Sequence, residues 1–331
     1  MRAFRHRILV FAVAFCQLQI SLALAQTAEH KSLMLVTSFG PGAIELPTGQ
    51  DWKPEMLTVY DGGRRPVAQF NKGADLTVSF ILFENLSGSP TAQGCRNDAI
   101  SPIMEHDAAL ISKRTDGEIK NAAGEAIATT SYLVAMVAGH YQHNLFGFAG
   151  DGATCAEIHV SSVVETAAEE DAMKAVVSAF TPNLTYKPSA IDYFRIASLL
   201  FKSAPRLAAP YYRSSLDAMP NDSNSLTARR VTIDQLVMSL GMSGDLKESR
   251  SVAEKAIASD PDYPINYYNL ACIDAEQGDA ADAKIHLKQA FDRRANVLKG
   301  ESMPDPTADD SILKLKNNAE FWAFVQTLPK N

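Results

Sequence analysis

The sequence predicts two folded parts: an α+β N-terminal domain, in which an antiparallel sheet packs with helix, and a following all-α helical-repeat domain. Runs rich in β-branched and aromatic residues recur between residues 32 and 160, which is typical of strands. Beyond about residue 230, apolar residues recur at helical spacing and a Gly-Asp pair returns after 34 residues. A composition of 46% hydrophobic and 21% charged residues is that of a globular protein and excludes a mostly disordered chain.

The first element, residues 1–25, is interpreted as a signal peptide. Three arginines and no acidic residue precede the short apolar run 8–15, and Ala23 and Ala25 occupy the small-residue positions of a cleavage site. We expect cleavage after Ala25 and a periplasmic or secreted protein. An uncleaved anchor helix and a lipid anchor on Cys16 remain alternatives. No later stretch is long and apolar enough to predict a transmembrane segment after cleavage.

The rest of the chain is expected to divide into a β-rich α+β domain, 26–186, and a helical-repeat domain, 187–331. The formal net charge of the whole chain is −7. Residues 1–25 contain arginines and no acidic residue, so the rest of the chain is more negative than this total. Nucleic-acid binding requires clustered lysine and arginine to contact phosphates. We therefore expect no nucleic-acid partner.

The β-rich domain is expected to contain five strands, two helices and a hairpin turn at Asp151-Gly152. The helix at 166–180 has an apolar face and acidic residues in its first turn. A shorter helix is expected within 95–106. The predicted strands are 32–39, 76–83, 126–137, 141–148 and 154–160.

Cys95 and Cys155 are the pair that export would allow to form a disulfide, because both lie in the β-rich domain. Cys272 lies on a predicted helix elsewhere. Two separate buried thiols are the alternative, because spacing alone does not fix geometry. No CxxC motif or zinc-type spacing occurs in the sequence.

The clearest repeat unit is 264–297, where two amphipathic helices are joined at Gly278-Asp279. The same pair occurs 34 residues earlier, at Gly244-Asp245, in the unit 230–263. A 34-residue period is that of a helix–turn–helix repeat, in which glycine permits the tight turn. The residues expected on the buried faces of the second unit are Tyr267, Leu270, Ala271, Ala283, Leu287 and Ala290.

This pattern resembles the tetratricopeptide repeat family, most specifically in Tyr267–Ala290 with YNLA, QGD and the following alanines and leucine. Asp274 departs from the family pattern, which has an aromatic residue there. The stretch 193–220 resembles a degenerate unit. The amphipathic stretch 310–328 is expected to form a C-terminal capping helix, since stacked repeats need their last apolar face covered.

The resemblance implies a concave groove, lined by the first helix of each unit, that binds a protein or peptide partner. Acidic groups replace the lysines and arginines that clamp peptide carboxylates, so the expected ligand is not an acidic C-terminus. The protein's own β-rich domain could also fill the groove, and simple packing between helices is another alternative. The groove residues implied by the family pattern are Asp234, Met238, Tyr268, Asn269, Cys272 and Glu276.

No catalytic motif or cofactor-binding pattern occurs, so we expect a non-catalytic interaction protein without a cofactor. The alternative is an enzyme or small-ligand sensor acting through the β-rich domain, with the repeats as a docking module. That hypothesis depends on Trp52, Cys95, His140 and His143. A third hypothesis, metal binding, depends on the two histidines alone.

Overall fold

A computed structural model describes residues 32–61, 64–73, 75–86, 88–89, 91–163 and 166–329, so the predicted signal peptide lies outside the described residues. These residues form two compact units. The sheet unit contains residues 32–222 and Thr232–Val252. The C-terminal unit contains Ser223–Val231 and residues 253–329.

A seven-stranded antiparallel sheet forms the centre of the sheet unit, in the order β3-β4-β5-β9-β8-β7-β6. A separate antiparallel pair, β1 and β2, lies next to it in sequence. The strands are β1 Met34–Val36, β2 Ala43–Glu45, β3 Trp52–Tyr60, β4 Arg65–Lys72, β5 Leu76–Glu84, β6 Ile111–Lys120, β7 Ala126–Ala135, β8 Tyr141–Asp151 and β9 Thr154–Ser162.

The strand predictions were incomplete. β5, β7, β8 and β9 lie where strands were predicted, but 32–39 contributes only the three residues of β1. β2, β3, β4 and β6 were missed. β6 is an edge strand whose residues are almost all exposed, so its sequence lacks the apolar alternation that marks a half-buried strand.

Helix α1, Ala92–Asp107, packs on one face of the sheet against β7, β8 and β9. Cys95 in α1 and Cys155 in β9 form a disulfide with their Cα atoms 5.6 Å apart. The side chain of Thr91 accepts a hydrogen bond from the backbone N–H of Gly94 and so caps the start of α1. Gly150 in β8 allows this close approach, because a Cβ there would lie 2.5 Å from the sulfur of Cys95.

Helix α2, Ala167–Ser178, packs against β8 and β9 and buries Met173, Val176 and Val177. Thr166 caps its first turn, and the helix lies within the predicted range 166–180. Gly147 of β8 faces this helix, since a Cβ there would lie 2.7 Å from a methyl of Val177. Gly147 and Gly150 are three residues apart on β8, so they face opposite sides of the sheet. α1 and α2 therefore lie on opposite faces.

The described chain from residue 190 onward is mainly helical. Gly244 and Gly278 have φ of +81° and +80°, as expected for glycine directly after the first helix of a hairpin. The helices are α3 Ala190–Leu200, α4 Pro205–Ala218, α5 Leu226–Met242, α6 Leu246–Ser259, α7 Pro264–Glu276, α8 Ala280–Asp292, α9 Asp310–Leu313 and α10 Ala319–Val325.

The stretch 310–328, predicted as one capping helix, instead contains α9 and α10. α10 is a separate helix with Asn318 as its N-cap, and the side chain of Asn318 accepts a hydrogen bond from the backbone N–H of Phe321.

An antiparallel sheet with helices, followed by a helical region, confirms the predicted fold class. Among the described residues, no helix has the length and apolar character needed to cross a membrane.

Candidate functional site

Four of the six predicted groove residues lie in the C-terminal unit on α7, beneath residues 303–315, which we call the strap. Ile312 of the strap is fully buried and belongs to the same apolar cluster as Tyr268. Glu276 accepts a hydrogen bond of 2.7 Å from the hydroxyl of Ser311 and pairs with the ammonium of Lys314. This face of α7 is therefore occupied by the protein's own chain.

The strap also contacts the middle of α7. The thiol of Cys272 lies 3.7 Å from a carboxylate oxygen of Asp309, in hydrogen-bonding geometry. Tyr268 and Asn269 are only 2% and 7% exposed, so they lie inside the helical core rather than on an open groove. Burial, together with nearby acidic groups, raises the pKa of the Tyr268 hydroxyl. A peptide would have to displace the strap to reach these side chains.

Asp234 and Met238 lie in the sheet unit, on α5, and so are not in the same compact unit as the α7 residues. Met238 is 38% exposed, and Met242, one turn further along α5, is 55% exposed. Asp234 is half-buried beside Gln235, whose amide donates to its carboxylate over 3.4 Å. Residues four apart lie on one side of a helix, so these three form an accessible row.

The strap should control access to Cys272. Replacing Ile312 with alanine removes a fully buried side chain and should weaken strap docking by about 3 kcal/mol. We expect alkylation of Cys272, followed by peptide mass spectrometry, to accelerate at least about ten-fold. Lys316→Ala, at the exposed position that directly follows the strap, is the control. An unchanged alkylation rate in Ile312→Ala would show that the strap does not shield α7.

The structure does not bring together the residues on which the enzyme and sensor hypothesis depends. Trp52 packs against Phe70 and Phe80, on the sheet face opposite to that of the disulfide. His140 is exposed next to the 3₁₀ turn Val137–Gly139, whereas His143 lies within the β8 ladder. Across the described part of the chain, no group of three or more His, Cys, Asp or Glu residues is placed to hold a metal ion.

The sequence analysis missed a polar row on β9. Cys155, Glu157 and His159 alternate along this strand and so point to the face that α1 covers. The ring of His159 stacks on Phe146 at a centroid distance of 4.1 Å. Its Nε2 lies 2.9 Å from the amide oxygen of Asn144. The neutral ring therefore donates from Nε2.

Glu157 is the least expected member of this row. It is 5% exposed and lies between Ile81 of β5 and Phe148 of β8, two apolar neighbours in the ladder. Among the described residues its carboxyl group has no hydrogen-bond partner. The guanidinium of Arg65, on β4, instead lies over the ring of Phe83, 5.1 Å from its centroid. A charged residue in the middle of a predicted strand was the sequence signal that could have indicated this site.

The environment shifts both titratable groups toward their neutral forms. Burial raises the pKa of Glu157 to about 7, although the positive charge of Arg65 opposes the shift. Burial lowers the pKa of His159 to about 4. Burial, and then the charges of Glu157 and Asp107, raise the pKa of Tyr132 to about 12. Near neutral pH, Glu157 is the group of this row that changes charge.

No protein-family model matches the chain, and neither does any curated protein. Among solved structures, it is similar to a protein from Bacteroides thetaiotaomicron VPI-5482, with 11% identity, a TM-score of 0.31, and coverage of 63% of this chain and 78% of that one. It is also similar to a multi-domain immunophilin from Arabidopsis thaliana, with 11% identity, a TM-score of 0.29, and coverage of 74% and 99%. These likenesses are too low to carry an argument about fold or function.

Proposed function

We propose that this chain is an exported, non-catalytic interaction protein whose tetratricopeptide-like helical hairpins bind a protein or peptide partner. The observation that carries the proposal is the accessible row on α5, formed by Asp234, Met238 and Met242. Methionine side chains adapt to different apolar surfaces, and the carboxylate adds a preference for a cationic group. The partner segment expected here is amphipathic, with apolar residues and at least one lysine or arginine.

The arrangement of the first hairpins supports a rigid scaffold behind this row. Within the sheet unit, the guanidinium of Arg213 on α4 pairs with Glu248 on α6. The hydroxyl of Ser249 on α6 donates to the backbone carbonyl of Val237 on α5 over 2.9 Å. Contacts between successive helices hold α5 in place, and a binding surface is more specific on a rigid element.

The strap favours α5 over α7 as the binding surface in the resting protein. On α7, Glu276 and Cys272 are already in contact with strap residues. A ligand can reach the exposed Met238 and Met242 of α5 directly, whereas a ligand binding to α7 must displace buried apolar side chains of the strap. The proposal therefore assigns the α5 row as the primary contact.

A photo-crosslinking amino acid at position 238 tests the proposal. In the exported protein we expect a crosslinked adduct of defined mass from position 238. The matched control is position 285, since Ile285 is also exposed, at 52%, but lies on the second helix of its hairpin. Asp234→Lys should reduce the adduct at 238 by repelling a cationic partner. Equal adducts at both positions, or none at 238, would count against this function.

A further inference from the structure

We propose that the turn between β7 and β8, together with the turn between α1 and β6, inserts shallowly into the surface of a zwitterionic lipid bilayer and so attaches the protein reversibly to a membrane. We call these two turns, residues 136–141 and 108–110, the apolar tip.

The apolar tip is formed by large hydrophobic side chains that lie in water at one end of the sheet. Val137 is 89% exposed, and Leu110, Met136 and Tyr141 are between 39% and 51% exposed. The two turns are neighbours, because the backbone N–H of Ala135 donates to the carbonyl of Leu110 over 3.0 Å. Apolar side chains exposed side by side in this way mark a surface that binds a partner.

The composition of the β7–β8 turn differs from that of the other hairpin turns in the described sheet. Each of the other four carries an acidic residue in the turn or directly beside it: Asp61, Asp75, Glu125 and Asp151. From Ala126 to Gly150, in contrast, the chain contains no Asp, Glu, Lys or Arg. Burial explains this in the middle of β7 and β8, because a buried charge is costly. It does not explain an exposed turn, so this turn has the composition of a segment that leaves water.

The shape of the apolar tip favours a bilayer over a folded protein partner. Val137 lies at the bend of a hairpin with most of its surface in water, so a protein partner would need a pocket that matches it. A bilayer needs no pocket, because acyl chains rearrange around an inserted side chain. Tyr141, which is less exposed than Val137, carries the ring and hydroxyl that favour the headgroup level.

The hydrogen bonds and charges of the apolar tip are compatible with shallow insertion into a zwitterionic surface. The backbone N–H of Met136 donates to the carbonyl of His140 over 2.8 Å, so this polar group stays paired when it leaves water. The chain carries a formal charge of −7, and Asp107 lies just before Leu110. Anionic headgroups would repel these charges, so the contact we expect is apolar and the lipid zwitterionic.

Flotation of the processed, exported protein with phosphatidylcholine vesicles tests this proposal. A few apolar side chains should give reversible binding like that of one acyl chain, half-complete at about 0.1 mM accessible lipid. Val137→Asp should weaken binding at least about ten-fold, because a carboxylate would have to leave water. Leu199→Asp is the matched control and should bind like the wild type, since Leu199 is also exposed, at 53%, but lies on α3.

Two further measurements distinguish insertion from other kinds of contact. Val137→Trp should strengthen vesicle binding about five-fold, because tryptophan prefers the membrane interface. Salt at about 0.5 M should leave the binding of the wild type unchanged, because salt screens charge pairs and not apolar contacts. Loss of binding in salt would indicate an electrostatic contact and would contradict the proposal.

The proposal is overturned if the wild type does not float at about 5 mM lipid, well above the expected midpoint. Equal flotation of the wild type and Val137→Asp would place the membrane contact elsewhere and would also overturn it. A dimer that becomes a monomer in Val137→Asp, without flotation of either protein, would assign the apolar tip to a second copy of the chain. If Val137→Asp does not fold, Val137→Trp decides, and unchanged binding in that variant counts against insertion.

Discussion

Replacing Cys95 and Cys155 together with alanine should lower the free energy of unfolding of the sheet unit by about 4 kcal/mol. The disulfide closes a loop across a sequence separation of 60 residues, so removing it gives the unfolded chain a large gain in conformational freedom. Urea unfolding followed by tryptophan fluorescence measures the loss. Trp322→Phe should serve as the background, because it leaves Trp52, on β3, as the only tryptophan.

Cys272→Ala is the matched control for this double substitution. Cys272 forms no disulfide and lies in the C-terminal unit, so its loss should not change the unfolding of the sheet unit. Adding a reductant to the wild type should reproduce the double variant and leave that variant unaffected. A double variant as stable as the wild type would mean that α1 and β9 hold together without the covalent bond.

Removing one partner of the Asp274–His286 pair should have the next largest effect, in the C-terminal unit. Nδ1 of His286 on α8 donates to Asp274 on α7 over 2.6 Å, and the carboxylate of Asp274 is completely buried. His286→Ala leaves that carboxylate without its ring partner and should cost about 3 kcal/mol. Urea unfolding of a Trp52→Phe background, in which Trp322 reports on this unit, measures it.

A double-mutant cycle measures the interaction free energy between Asp274 and His286 apart from their other contacts. Asp274→Ala with His286→Ala should cost less than the two single substitutions added together, because no buried charge remains uncompensated. Lys288→Ala on the exposed side of α8 breaks only a surface pair with Asp292 and should change stability by less than about 0.5 kcal/mol. Additive losses across the cycle would show that the two side chains do not stabilise each other.

The resemblance to the tetratricopeptide repeat could not predict the pairing of Asp274 with His286. Asp274 stands where the repeat pattern has an aromatic residue, and the sequence analysis could only note the departure. The structure accounts for it, because His286 on the next helix provides a polar partner at this position. A compensation between two residues on different helices is visible only when the packing of those helices is known.

The predictable parts of the fold are those with a strong local pattern. The richness of β5, β7, β8 and β9 in β-branched and aromatic residues and the glycine turns at Gly244 and Gly278 can be recognised from neighbouring residues alone. The edge strand β6 has little apolar surface to bury, and so its sequence lacks that pattern. Docking of the strap on α7 is a long-range contact, in which Lys314 meets Glu276 38 residues away. No local rule predicts which face of a helix a distant segment covers.

The position of β9 has a consequence for how this chain is assembled. β9 is the last strand to be synthesised, yet it is the central strand of the sheet and pairs with both β5 and β8. Before β9 is synthesised, the meanders β3-β4-β5 and β6-β7-β8 each have an unpaired edge, at β5 and at β8. Cys95 also lacks Cys155, its disulfide partner. Unpaired strand edges associate readily with other chains. The growing polypeptide therefore passes through a stage prone to aggregation, which ends only when its final strand closes the gap.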